Sequence, residues 1–76
     1  MTSLTSGTTA NAIRRRIQEL RLAQGLDEDA LSARAGLAAE RLRGVEQGER
    51  TPGLDDLQRI AAALGVQIQD LVRRGD

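Results

Sequence analysis

Guanidinium and carboxylate groups carry most of the chemistry this chain offers. They are present in equal number, eleven Arg with no Lys against eleven Asp and Glu, for a formal charge of zero. Cysteine and histidine are both absent. That removes disulfides, thiolate metal sites, cysteine nucleophiles and a histidine general base together. Only carboxylates and hydroxyls remain for catalysis, and a small bundle provides no obvious cleft for them, so neither an enzyme nor a cofactor site is expected. Phe, Tyr and Trp are also missing, which takes away the aromatic stacking that grips single-stranded nucleic acid. A zero balance is not that of a strong non-specific DNA binder, whose affinity rests on neutralising phosphates. The all-arginine usage is most simply a matter of codon composition. Arg14, Arg15 and Arg16 form the densest basic run, but adjacent helical residues fan over about 200°, so the three cannot share one surface.

Apolar spacing shows which elements must hold these groups. At 76 residues one domain is expected, burying about 60% of its unfolded surface, and association would supplement its stability. Met1 to Thr9, rich in Thr, Ser and Gly, reads as a flexible arm, and residues 10–74 as the folded domain. Ile13, Ile17 and Leu20 recur at i, i+4, i+7 and mark a first helix ending near Gln24–Gly25. Asp27 is a suitable N-cap for a second helix, Glu28 to Ala35, broken by Gly36. A third helix runs from Ala39 to Gln47 and stops at Gly48. Glu49 to Gly53 holds the single proline and reads as a loop. Leu54, Leu57, Ile60, Ala61 and Leu64 stripe a fourth helix whose first turn carries Asp55 and Asp56, where the dipole favours negative charge. Gly65 closes it, and Gln67 to Arg73 form a short fifth helix. Three of the helix starts carry apolar pairs at staple spacing, Leu26/Leu31, Leu37/Leu42 and Val66/Leu71. No strand pattern competes. An all-α fold of five short helices is predicted. No apolar run reaches the length of a membrane span or a signal core, which points to the cytoplasm.

The second helix, the Gly36 turn and the third helix make a helix-turn-helix unit, in which the second member can enter the major groove of DNA. From RIQELRLAQGL (Arg16 to Leu26), LSARAGL (Leu31 to Leu37), VEQGERTPGLDDLQRIAAALGV (Val45 to Val66) and DLV (Asp70 to Val72), the chain resembles the lambda-repressor-like, Cro-type or XRE-type, family of bacterial and phage regulators. The likeness spans about residues 13 to 72 without a gap. It implies helices two and three as the DNA-binding pair. It places Arg21 and Glu46 as an ion pair between helix one and the end of helix three. Ala39, Glu40, Arg43 and Gly44 then face the bases. Arg43 suits guanine, Glu40 suits cytosine N4 and Ala39 suits a thymine methyl. Arg16, Glu28, Arg41, Gln47 and Arg50 fall toward the DNA backbone. The resemblance also implies a dimer formed near the C-terminal helices, through Val66, Ile68, Leu71 and Val72. Asp27, Glu28 and Asp29 depart from the Ser and Gln with which family members open helix two, and put carboxylates beside a phosphate. Ala38, Ala39 and Glu40 replace the usual hydroxyl start of helix three.

The resulting expectation is a transcriptional regulator that binds double-stranded operator DNA as a homodimer, in the cytoplasm at the nucleoid, with no small-molecule ligand evident. A chain this short leaves no room for an effector domain, so control is expected to come from promoter occupancy. A second reading stays open: a protein-interaction module on the same fold, its DNA affinity lost with the acidic residues Glu28 and Glu40. On that reading Ala39, Glu40, Arg41 and Arg43 are a solvated helix face, with Glu40 and Arg43 paired at i, i+3. Gly44 costs roughly 1 kcal/mol inside a helix, and close approach of DNA or a partner is one reason to keep it.

Overall fold

A computed structural model describes residues 5–72, with side chains from Asn11 onward. The described residues form five helices and no strand: α1 Thr5–Ala23, α2 Glu28–Ala35, α3 Ala39–Glu46, α4 Leu54–Leu64 and α5 Ile68–Val72. Nine residues build the core, Ile17 from α1, Leu31 from α2, Leu42 and Val45 from α3, Leu57, Ile60, Ala61 and Leu64 from α4, and Leu71 from α5. Leu26, Leu37 and Val66 pack half-buried against that cluster. The staple positions therefore close the bundle at its turns. No described helix is long and apolar enough to cross a membrane.

Local chemistry sets the boundaries of the two helices that matter most. Asp27 sits in extended backbone and its Oδ1 accepts the Ala30 N–H at 2.8 Å, capping α2. At the other end Gly36 adopts φ 71°, ψ 30°, and Leu37 N–H donates to Ser32 O at 3.0 Å. This left-handed closure turns the chain within three residues, so that α3 starts at Ala39. α3 is the poorly capped partner. Ala38 provides no side-chain acceptor for its first N–H groups.

Two expectations about the chain ends are corrected. α1 begins at Thr5, so residues 5–9, read as a flexible arm, are helical. Once the apolar turns from Ile13 onward are docked, adding residues at the N-terminal end costs little, and weak Thr, Ser and Gly propensities do not stop it. The rest of that arm, residues 1–4, lies outside the described residues, as do Arg73 and Arg74. At the other end, Leu71 is 1% exposed. It fills the core of its own protomer and is not a surface residue available to a partner. Of the four C-terminal residues expected at an interface, Val72 is the one fully on the surface, at 41%, while Val66 and Ile68 pack against the core from half-buried positions.

Candidate nucleic-acid interface

The outer side of α3 is its polar side because Leu42 and Val45 turn inward to the core. Glu40, Arg43 and Gln47 are exposed there, and Ala39 is half-buried. Glu40, Arg43 and Gln47, with Gly44, Glu49 and Arg50, line an open cleft of about 400 Å³ at the end of α3 and the loop beyond it. A smaller cavity of about 70 Å³ adjoins it through Arg50, lined also by Asn11, Arg14, Thr51 and Pro52.

Three ionic contacts orient α3. Arg21 of α1 donates from Nε and Nη2 to Glu46 Oε2 and Oε1, both at 2.9 Å, and from Nη1 to Leu26 O at 2.9 Å. One guanidinium thereby joins α1, the α1–α2 turn and the end of α3. Glu46 is 1% exposed. Burial pushes its carboxyl above the usual range, Arg21 pulls it back, and the nearby Glu28 carboxylate adds to the upward push. Breaking one partner of such a pair costs about 3–5 kcal/mol. Gln18 Nε2 and Arg14 Nη1 donate to the Glu46 carbonyl at 2.9 and 3.4 Å, meeting the negative end of the helix.

The second contact is made by Arg41, the residue expected on the DNA backbone, which donates from Nε and Nη2 to Asp56 Oδ1 and Oδ2 at 2.9 and 3.1 Å. Asp56 also accepts the Gly53 N–H at 3.1 Å, so one buried carboxylate caps α4 and clamps α3 to it. The Arg41 hydrogen bonds hold the Asp56 carboxyl below its ordinary range, against the opposing effect of burial. The third contact concerns Arg43, whose Nε lies 3.4 Å from Glu28 Oε1 and whose Nη2 lies 3.9 Å from Asp29 Oδ1. Its partner is therefore on α2, and not Glu40 one turn earlier.

Arg16 is likewise drawn away from the cleft. Its Nε donates to Asp70 O at 3.2 Å and its Nη1 lies 3.6 Å from Glu19, which ties α1 to α5. The basic run fans as its spacing requires, with Arg14 directed to α3, Arg16 to α5 and Arg15 exposed. Gly44, expected to be bare for a groove, is buried, and a Cβ built on it would meet Arg50 Cβ at 3.5 Å. Its carbonyl accepts from both Glu49 N and Arg50 N, at 2.8 and 3.1 Å. The small residue thus leaves room for the Arg50 stem. The pairs Arg41–Asp56 and Arg43–Glu28 escaped the sequence reading, since each joins residues fifteen positions apart on different helices.

Two short helices meeting through a left-handed glycine turn, with the second held by ion pairs and open on its outer side, constitute a helix-turn-helix module. The chain belongs to the helix-turn-helix family of lambda-repressor-like transcriptional regulators, whose model matches residues 17–71; that family comprises DNA-binding domains, not enzymes. It is 37% identical over 57 residues to y4dJ of Sinorhizobium fredii, described as an uncharacterized HTH-type transcriptional regulator, which covers 75% of this chain and 74% of that one. It superposes on the restriction-modification controller protein C.AhdI of Aeromonas hydrophila with a TM-score of 0.78, at 32% identity, over 82% of this chain and 94% of that one. A chain of the SinR protein/SinI protein complex matches with a TM-score of 0.77, at 28% identity, over 82% of this chain and 61% of that one.

Proposed function

We propose that this chain is a sequence-specific regulator that binds operator DNA as a homodimer, with α3 in the major groove. One observation carries the reading: the outer side of α3 is open, with Glu40, Arg43 and Gln47 exposed around the cleft. Likeness to a restriction-modification controller protein over nearly the whole of that protein supports it. In this reading Arg43 contacts guanine, Glu40 contacts cytosine N4, and Ala39 meets a thymine methyl. Gln47 and Arg50 hold phosphate from the cleft's edge. Val72 and the adjoining rims of Val66 and Ile68 meet the sister chain.

Selection of bound sites from a random DNA pool tests this directly. The expected outcome is a two-fold symmetric consensus, with half-sites about 34–36 Å apart centre to centre, and a dimer by sedimentation velocity. Enrichment of no sequence at any salt overturns it. That result would favour the second reading, a protein-interaction module, which draws on the neutralisation of Arg41 by Asp56 and of Arg43 by Glu28.

A further inference from the structure

We propose that Glu28 positions Arg43 for base reading, which makes it a specificity-determining carboxylate on α2 and not a contact to the DNA backbone. This assignment rests on the DNA-binding reading above and deepens it.

Glu28 opens α2, immediately after the Asp27 cap, and its side chain is 28% exposed. From there its Oε1 reaches across the helix-turn-helix to Arg43 Nε at 3.4 Å. A guanidinium has five donors in a rigid plane, and Nε provides one of them. With Nε held by Glu28, the outer edge formed by Nη1 and Nη2 is left for an in-plane pair of acceptors. Guanine O6 and N7 present such a pair in the major groove. Asp29 Oδ1, 3.9 Å from Nη2 and on a well-exposed side chain, is too distant to compete for that edge.

The carboxylate is itself held in place. Glu46 lies close enough for Glu28 to raise its affinity for a proton. Glu46 already has both oxygens on Arg21, and Arg43 is the cation on which Glu28 bears. Two adjacent carboxylates, Glu46 and Glu28, are thus bracketed by two guanidiniums, Arg21 in the last turn of α1 and Arg43 on the exposed side of α3. The same carboxylate repels phosphate on every DNA sequence equally. Specificity is a difference between affinities, so that uniform penalty cancels from the ratio and lowers binding at every site alike, while the well-aimed arginine widens the ratio.

The test compares the unmodified chain with Glu28→Gln, Arg43→Ala, Arg43→Lys and the double variant Glu28→Gln/Arg43→Ala, using site selection and mobility shifts on matched and scrambled duplexes. Glu28→Gln should bind scrambled DNA several-fold more tightly. It should also lose about tenfold of its preference at one base pair of each half-site, the range of a single bidentate contact. Arg43→Ala should relax that same base pair, and the double variant should relax it no further. Arg43→Lys should keep binding to scrambled DNA and still lose the preference, since charge survives there and the fork does not. Asp29→Asn should leave base preference unchanged. A Glu28→Gln chain with the original consensus overturns the assignment alone, as does one that relaxes a base pair Arg43→Ala leaves intact. An unmodified chain that selects no site overturns the DNA-binding reading and the assignment with it.

Discussion

At Gly44 the side chain of Arg50 lies where a groove-facing helix would otherwise be bare, and this decides what a methyl group there does. The added Cβ would stand 3.5 Å from Arg50 Cβ, in ordinary van der Waals contact. Glycine costs roughly 0.8–1 kcal/mol relative to alanine within a helix, so Gly44→Ala should raise stability by up to about 1 kcal/mol. For a domain of this size that is roughly 4–8 °C in melting temperature. If Gly44 also serves close approach to bases, the same variant weakens specific DNA binding while melting higher. A variant that melts lower refutes the packing account. Asp56 gives a second residue-level prediction, through pH. Its folded carboxyl titrates below the unfolded one because Arg41 donates to the charged form. The stability it contributes is therefore present above the unfolded value of about 3.9 and is lost as pH falls through the folded one. Glu46 has the opposite sign, since burial raises its carboxyl and acidification relieves that cost. Asp56→Asn keeps an acceptor for the Gly53 N–H but loses the charge. It should lower the melting temperature at pH 6 and narrow the gap between pH 6 and pH 3. An equal drop at both pH values would show that Asp56 acts by packing alone.

α2 and α3 differ most in how their ends are made, and so in how much of each can be read from residue types. Asp27 and Gly36 bound α2 through contacts within a few residues of themselves, and such local chemistry is visible in a sequence. α4 follows the same logic with Gly65, although Leu54, at the start of its predicted apolar stripe, is 66% exposed. The stripe at i, i+3 continues one residue past the edge of the core. The first turns of α1 were hidden for the converse reason, since propensity described Thr5 to Thr9 in isolation and not as an extension of a docked helix. The candidate site was half legible. Its exposed residues follow from the inward stripe of Leu42 and Val45, whereas Arg41, Arg43 and Arg16 are each captured by a helix whose approach no spacing encodes. α3 also carries an element-level weakness that can be repaired. Ala38 already has the extended backbone of an N-cap, at φ −66° and ψ 142°, without a side-chain acceptor. Ala38→Ser should add about 0.5–2 kcal/mol, read as a higher denaturant midpoint with an unchanged m-value. An unmoved midpoint would mean that the first N–H groups of α3 are already satisfied by water.

On the scale of the whole molecule, charge that cancels in the total is also largely cancelled in place. Arg16, Arg21, Arg41, Arg43 and Arg59 all have carboxylate partners within the protomer. Among the described residues Arg14, Arg15, Arg34 and Arg50 make no ion pair. Of these, Arg50 lines the cleft beside α3, and Arg14 shares the small adjoining cavity with it. A DNA complex of this chain should accordingly neutralise one or two phosphates per protomer, about two to four in a dimer. The logarithm of affinity should then fall against the logarithm of salt with a slope of about −1.8 to −3.6, roughly a 12- to 150-fold loss between 50 and 200 mM. Arg50→Ala should flatten that slope by about one unit for each protomer, with base preference unchanged. A much steeper slope, beyond about −6, would require the internal pairs of Arg41 and Arg16 to open and turn to the DNA. In that case Asp56 and Glu19 would be releasing cations on binding, and the rigid placement of α3 from which its base contacts are argued would fail.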